Sequence, residues 1–236
     1  MQTSFSSRLL GALFVAAGIA AAPVVANAQT ASSAWQPGDF VVRVGEAGVL
    51  PLDTNSHIDT IGGSVSVSNS TMPEVDFSYF FTSAISVQLI ATSTRHEVSA
   101  NNTALTPLLG SKIKLGSAYV LPPALVAQYH FFPDAEFRPY VGAGLDVAWF
   151  YDSNPATEVI PGTSNKVVNK FTLSNTVGPV LNVGVDYHVS GNWFANFDIK
   201  EIYSRPDAVV NTAIGEVKAH DGLNPLVISG GIAYRF

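Results

Sequence analysis

The sequence predicts an all-β protein, an eight-stranded antiparallel transmembrane β-barrel of outer-membrane type with short turns at one end and long loops at the other. Three observations predict it. From Ala124 to Phe132 and from Phe137 to Tyr151, the odd positions are apolar or aromatic, while the polar, charged or tiny residues Gln128, His130, Arg138, Gly142, Gly144 and Asp146 all fall on even ones. Such a period of two fits strands with one face in lipid and the other in a polar lumen. The connections alternate between tight turns and loops of roughly 20 residues, the asymmetry of outer-membrane barrels. Beyond Gln29 no apolar stretch is long enough for a spanning helix, because the best candidate holds Pro122-Pro123, Gln128 and His130 and is closed by Pro133. A closed barrel is the other way to satisfy every backbone group in lipid.

The N-terminus is set aside first. Arg8 precedes an apolar run from Leu9 to Val25, and Ala26-Asn27-Ala28 forms an A-x-A site, so residues 1–28 are expected to be a cleaved secretory signal peptide. A transmembrane helix is the competing reading, disfavoured by the Ala-rich composition and the cleavage site. Residues 29–236 form one expected barrel domain. That segment carries 11 basic and 18 acidic residues, a net charge of 11 − 18 = −7. With no basic stripe to neutralise phosphates, nucleic acid is not an expected partner. Cysteine is absent, which removes thiol and disulfide chemistry.

The first strand is expected from about Asp39 to Glu46, with Phe40, Val42 and Val44 towards lipid and Arg43 towards the lumen. A Gly-, Ser- and Asn-rich loop then runs from Ala47 to Thr71. The second, Pro73 to Phe81, alternates outward Val75, Phe77, Tyr79 and Phe81 with inward Glu74, Asp76 and Ser78, and turns at Thr82-Ser83. The third, Ala84 to Arg95, points Ile85, Val87, Leu89 and Ala91 outward and Gln88, Thr92 and Thr94 inward, and a loop follows to about Ser117. The fourth and fifth form the hairpin around Pro133-Asp134-Ala135-Glu136, residues that favour turn geometry. In the next loop, Lys166 and Lys170 stand four apart in KVVNK, weakly suggesting a short helix. The sixth strand, Asn175 to Val189, turns at Ser190-Gly191-Asn192 into the seventh, Trp193 to Tyr203. The eighth runs from Leu226 to Phe236. Aromatics at the turn ends (Phe81, Phe131, Phe137, Tyr187, Trp193, Phe236) are expected to form an interfacial girdle. A soluble lipocalin-like barrel is the competing reading, disfavoured by the charges, which fall on the inward set.

The lumen set joins Arg43, Arg138, Lys200 and Arg235 with Glu74, Asp76, Asp146, Asp186 and Asp198. Mixed signs argue against a selective ion pore, and an eight-stranded interior is narrow enough for side chains to fill. These charges are therefore expected to pair into a plug of the lower lumen, rather than line a continuous water channel. His96, His130 and His188 fall on lumen parity or at a strand end, so none builds a Ser-His site at the lipid wall. The loop pairs His57 with Asp59 and His220 with Asp221 are ordinary solvated neighbours, and no zinc-type spacing appears. The reading is a non-enzyme with no cofactor and no metal. Pro122-Pro123 removes two ladder donors from a wall that has no edge to hide them. Physics alone leaves a bulge and a local opening equally open.

LPPALVAQYHF followed by RPYVGAGL resembles the OmpW family of small eight-stranded outer-membrane barrels. FVVRVGEAGVLP, GVDY before a Trp-led strand and the terminal GGIAYRF are similar to that family too, so the resemblance spans nearly the whole chain past the leader. Leu226, after Asn224-Pro225, departs from the pattern, where an aromatic is expected. The resemblance implies a Gram-negative outer-membrane location with both termini periplasmic. It also implies uptake of small hydrophobic solutes through an upper apolar pocket and a lateral exit into the outer leaflet. By parity Ile90, Val120, Pro122, Phe150 and Ile202 would line the pocket, and Leu121, Pro122 and Pro123 would form the exit. Phe236, an aromatic terminus, would be read by the barrel assembly machinery. Outer-membrane lipid is the other expected partner, and no oligomeric state is assigned. The alternative is a structural or interaction barrel whose long loops contact cells, phage or host molecules.

Overall fold

A computed structural model describes residues 34–52, 57–59, 61–212, 215–220 and 222–236. The expected signal segment and its cleavage site lie outside them. The strands are β1 (Phe40–Leu50), β2 (His57–Ile58), β3 (Ser64–Val67), β4 (Ser70–Phe80), β5 (Ile85–Thr92), β6 (Thr94–Asn101), β7 (Lys112–Leu121), β8 (Ala124–His130), β9 (Phe137–Pro155), β10 (Val168–Leu173), β11 (Thr176–Ser190), β12 (Trp193–Ile202), β13 (Asp207–Thr212), β14 (Gly215–His220) and β15 (Leu226–Arg235), with one short helix, α1 (Thr106–Leu109).

The strands close a barrel. The order β11-β12-β15-β1-β4-β5-β8-β9 returns to its start through antiparallel pairing of β9 with β11. β5 with β6, and β7 with β8, are each one barrel strand with a break, so eight strands make the wall. Period-2 alternation sorts their side chains as expected: Val44, Phe77, Leu89, Leu125, Leu145, Leu181, Phe197 and Ile232 are exposed, and Arg43, Asp76, Gln88, Gln128, Asp186 and Asp198 are buried. An apolar outer face around a polar interior is stable only with lipid outside.

Tight turns join the strands at one end. Between β4 and β5 the Thr82 hydroxyl accepts from the amides of Ala84 (3.2 Å) and Ile85 (2.9 Å). Between β11 and β12 Gly191 takes φ +55°, a left-handed conformation that costs glycine nothing. Phe81, Phe131, Phe137, Tyr187, Trp193 and Phe236 are all exposed at this end. Twelve residue steps on β9 separate Phe137 from the exposed Trp149. At about 3.4 Å per step and a tilt of about 45° they rise about 29 Å, the thickness of a hydrocarbon core.

The long connections differ from the solvated loops expected. β3, β6 and β7 extend the wall as a sheet, with β7 also paired to β9, and β10, β13, β14 and β2 form a separate four-stranded sheet. Both contribute to a core that includes Val98, Ile113, Leu115, Phe171, Val210 and Val217. Several strands are correspondingly longer than expected, β1 reaching Leu50 and β9 reaching Pro155. KVVNK is not helical. Val167 and Val168 are buried while Lys170 is exposed, so apolar burial overrides the lysine spacing and leads into β10.

Candidate functional site

The inward side chains form layers along the barrel axis. At the turn end Trp35, from the segment before β1, is fully buried between Phe80 (4.7 Å between ring centroids) and Phe194 (4.5 Å). The Arg138 guanidinium lies over Trp35 (4.8 Å) and Phe194 (5.0 Å), and its Nε donates to Ala135 O (2.6 Å). Arg235 holds the same segment, donating to Ala34 O (2.8 Å) and lying 3.6 Å from Asp39. Two of the expected plug cations therefore fasten the N-terminal segment into the barrel mouth. Sequence reasoning missed Trp35, because it precedes the first alternating strand and carries no periodicity.

Above this lies a polar layer. Arg43 grips Asp186 with both Nε (3.1 Å) and Nη2 (2.8 Å) and donates from Nη1 to Ser78 (2.6 Å). Lys200 meets Asp198 (2.5 Å) and Glu74 (3.2 Å). Amides connect the two ion pairs to the wall: Gln88 donates to Asp76 (3.2 Å), Gln128 to Gln88 (2.7 Å) and to Asn182 (2.8 Å), and Asn182 to Asp198 (2.5 Å). Tyr140 donates to Asp198 (2.8 Å), and a Cβ on Gly184 would run into its ring, which is why that inward position on β11 is glycine. The bidentate geometry and the amide network offset the desolvation that buried charges suffer. The layer fills the lumen with side chains bonded to one another.

The chemistry then changes. Ala47, Val49, Ile90, Ala124, Val126, Val180, Ile202 and Val227 form an apolar ring. Above the polar layer, and lined in part by this ring, a cavity of about 100 Å³ extends towards the loop end. The structure places all five residues expected on a pocket, Ile90, Val120, Pro122, Phe150 and Ile202, on its lining. Glu74 and Lys200 reach it from the polar layer. Asp146, expected in the plug, also lines the cavity, and neither of its carboxylate oxygens has a hydrogen-bond partner. Its strand position puts it opposite Ala124 and Gly178, and no hydrogen bond joins it to the lysine and arginine pairs below.

Beside the cavity the strand ladder is interrupted. β5 and β8 pair up to Ile90 opposite Ala124, and β6 and β7 resume at Thr94 opposite Val120, in the same register. Ala91, Thr92 and Ser93 form no ladder with Leu121, Pro122 and Pro123, so Thr92 faces Pro122 without pairing. The other side of the break is closed: Leu121 pairs with Trp149, Ala124 with Asp146, and Val147 N donates to Pro123 O (3.2 Å). In an antiparallel ladder successive residues turn their amides to opposite neighbours. Pro122 thus removes the donor facing β5 and β6, and Pro123 the one facing β9. Outside the gap, the hydroxyls of Ser93 and Tyr151 are 2.5 Å apart, joining the two strands that flank the broken one, and Tyr119 stacks on Tyr151 at 5.5 Å.

This architecture has known counterparts, and the OmpW family model matches residues 36–236. The chain belongs to the OmpW family. It is 32% identical to outer membrane protein W of Vibrio cholerae, over 95% of this chain and 97% of that protein. It is 27% identical to the Pseudomonas aeruginosa dibenzothiophene metabolism operon protein PahQ, over 74% and 76%. The crystal structure of the outer membrane protein OprG from Pseudomonas aeruginosa superposes with a TM-score of 0.75 at 25% identity, covering 86% of this chain and 98% of that one. The protein is an outer-membrane barrel of this family.

Three histidines of this OmpW-family barrel, His130, His188 and His96, bond to nearby hydroxyl or backbone groups. His130 Nε2 lies 2.9 Å from the Ser86 hydroxyl, but His130 is fully buried and its Nδ1 has no partner, so no carboxylate orients the ring as a general base needs. His188 bonds Gly191 O (2.9 Å) in a turn, and His96 bonds Ser68 O (2.6 Å). In the loop pairs, the backbones of His57 and His220 pair across β2 and β14, while both side chains and the whole of Asp221 lie outside the described residues. Among the described residues, no group of three His, Asp or Glu side chains could hold a metal.

Proposed function

We propose that the barrel is a passive conduit for small apolar molecules, which enter the cavity from the loop end and leave sideways through the wall at Leu121, Pro122 and Pro123. In this reading the loop end is extracellular and both termini are periplasmic. The observation that carries it is the interrupted ladder at Pro122, a residue that also lines the apolar cavity. The bonded polar layer bars the axial route beneath. Near the break the outward residues Leu89, Leu145 and Val147 are apolar, so a solute passing through the wall meets hydrocarbon. A solute with about 200 Å² of apolar surface is stabilised by about 5 kcal/mol on leaving water, which makes lateral release downhill. The name of the relative PahQ, which ties it to dibenzothiophene metabolism, agrees with an apolar aromatic cargo.

The test is uptake of an apolar solute by liposomes carrying the purified protein. Pro122→Val restores the donor facing Thr92 and should suppress uptake with normal folding, whereas Pro123→Val acts on the already closed side and should leave uptake near wild type. Full uptake by Pro122→Val overturns the lateral exit and leaves a bent strand in a barrel whose loops mediate contacts.

A further inference from the structure

Asp146 is the feature that a conduit for plain hydrocarbons does not use. Asp146 is 1% exposed and lines the cavity, and both of its carboxyl oxygens are unbonded. Every other acid of the lumen set has a bond. Asp186 is held by Arg43, Asp198 by Lys200 and Asn182, Glu74 by Lys200, and Asp76 by Gln88. A buried polar group without a partner costs free energy that the apolar side chain of the same size at this position would not. Ile90, Ala124, Ala148 and Ile202 around the cavity offer it no hydrogen bond. The cavity that Asp146 lines is the space from which a partner can reach it.

From this we infer that Asp146 is a recognition site for one hydroxyl group on an otherwise apolar solute, so that the cavity selects small alcohols and phenols over the parent hydrocarbons. The inference rests on the reading of the cavity as a solute site. A hydroxyl fits either form of the acid, since it donates to a carboxylate and accepts from a carboxylic acid. An ammonium group would be matched in charge by the ionised form alone. The rest of the solute lies against the apolar ring and Phe150, and the hydroxyl end points to the wall of β9. Orientation by a single polar group in an apolar pocket is a common arrangement of small-molecule sites.

The experiment measures equilibrium binding of 1-naphthol and of 1-methylnaphthalene, nearly equal in size, to the barrel in lipid nanodiscs, each corrected for partition into protein-free discs. One hydrogen bond to a buried acid corresponds to a preference for the naphthol of about tenfold. Asp146→Leu should bring that ratio to about one while still binding 1-methylnaphthalene. The second measurement needs no variant: the ¹³C resonance of the Asp146 carboxyl should shift on adding 1-naphthol and stay fixed on adding 1-methylnaphthalene. A ratio near one in the wild type, a ratio that survives Asp146→Leu, or a carboxyl resonance indifferent to 1-naphthol overturns the inference. If 1-methylnaphthalene binds and crosses in those cases, the conduit stands without its hydroxyl site. If neither solute binds, both readings fall together.

Discussion

The lower and upper halves of this lumen are built on the same eight strands with the same alternation, yet one is closed by charge and the other lined by hydrocarbon. Below, Arg43 bonds Asp186 and Lys200 bonds Glu74 from strand to strand across the lumen, and Lys200 also meets Asp198 two residues away on its own strand. Above, Val49, Ile90, Val180 and Ile202 meet one another, and the only unbonded inward carboxyl is Asp146 among the residues described. The alternation decides which side of the wall a residue takes. Height along the strand decides the chemistry, because a pairable charge is stable only in a layer where opposite charges and amides converge at the same level. The interrupted ladder belongs to the upper level too, since Pro122 lines the apolar cavity.

Breaking the lower half should have the largest effect. Arg43→Ala leaves Asp186 buried without its cation, and a loss of about 3–5 kcal/mol is expected in urea unfolding of the protein in lipid. Apolar flux, carried by the upper half, should persist in those barrels that remain folded. Replacing both partners, Arg43→Met with Asp186→Leu, should recover most of the stability, as apolar pairs of similar shape do.

Mending the wall comes next. Pro122→Val is expected to raise stability by about 0.5–1.5 kcal/mol, the net value of one hydrogen bond, while apolar flux falls. Pro123→Val is its control, on the side of the strand that already holds the Val147 bond. In the opposite sense, Tyr151→Phe removes the bond to Ser93 outside the gap. It should cost no more than about 0.5–1.5 kcal/mol and raise the rate of solute release, read in the same liposome assay. An unchanged rate would mean that the gap is not limited by this contact.

The smallest thermodynamic effect is expected at the far end. Phe236 is exposed beside Phe40 and Tyr234, at centroid distances of 6.3 and 4.8 Å. Phe236→Asp places a charge at the membrane interface, a cost of about 0–1 kcal/mol. Its folded yield in the outer membrane should nevertheless drop well beyond that, if the assembly machinery reads the terminal aromatic. Yield matching the small stability change would remove that role.

Much of the barrel was legible in the sequence, because a residue's side of a strand depends only on counting by twos. Phe77, Leu125 and Leu181 outward, and Asp76, Gln128 and Asn182 inward, follow from that count. The short turns were legible from their own residues, Thr82 and Gly191, whose hydroxyl and left-handed backbone act locally. The loops were not, because β10, β13 and β14 are stabilised by packing onto Phe171 and Val210 from distant segments, and a Lys-x-x-x-Lys spacing says nothing of that. Trp35 was invisible for the same reason, its place set by Phe80 and Phe194, more than forty residues away in sequence.

The sequence by itself determined the alternation, the eight wall strands, the position of the proline break and the set of inward charges, all of them properties of neighbours along one chain. Only the tertiary structure decided which charge meets which. Arg43 with Asp186 and Lys200 with Glu74 are set by the register of strands 143 and 126 residues apart, and a shift of that register would mate each with another acid. It likewise decided that Asp146 lacks the ion pairs its lumen neighbours make, and that the ladder at Pro122 is interrupted towards β5 and β6 alone. Periodicity along a strand is local, whereas the level at which two strands face each other is fixed by closure of the whole barrel.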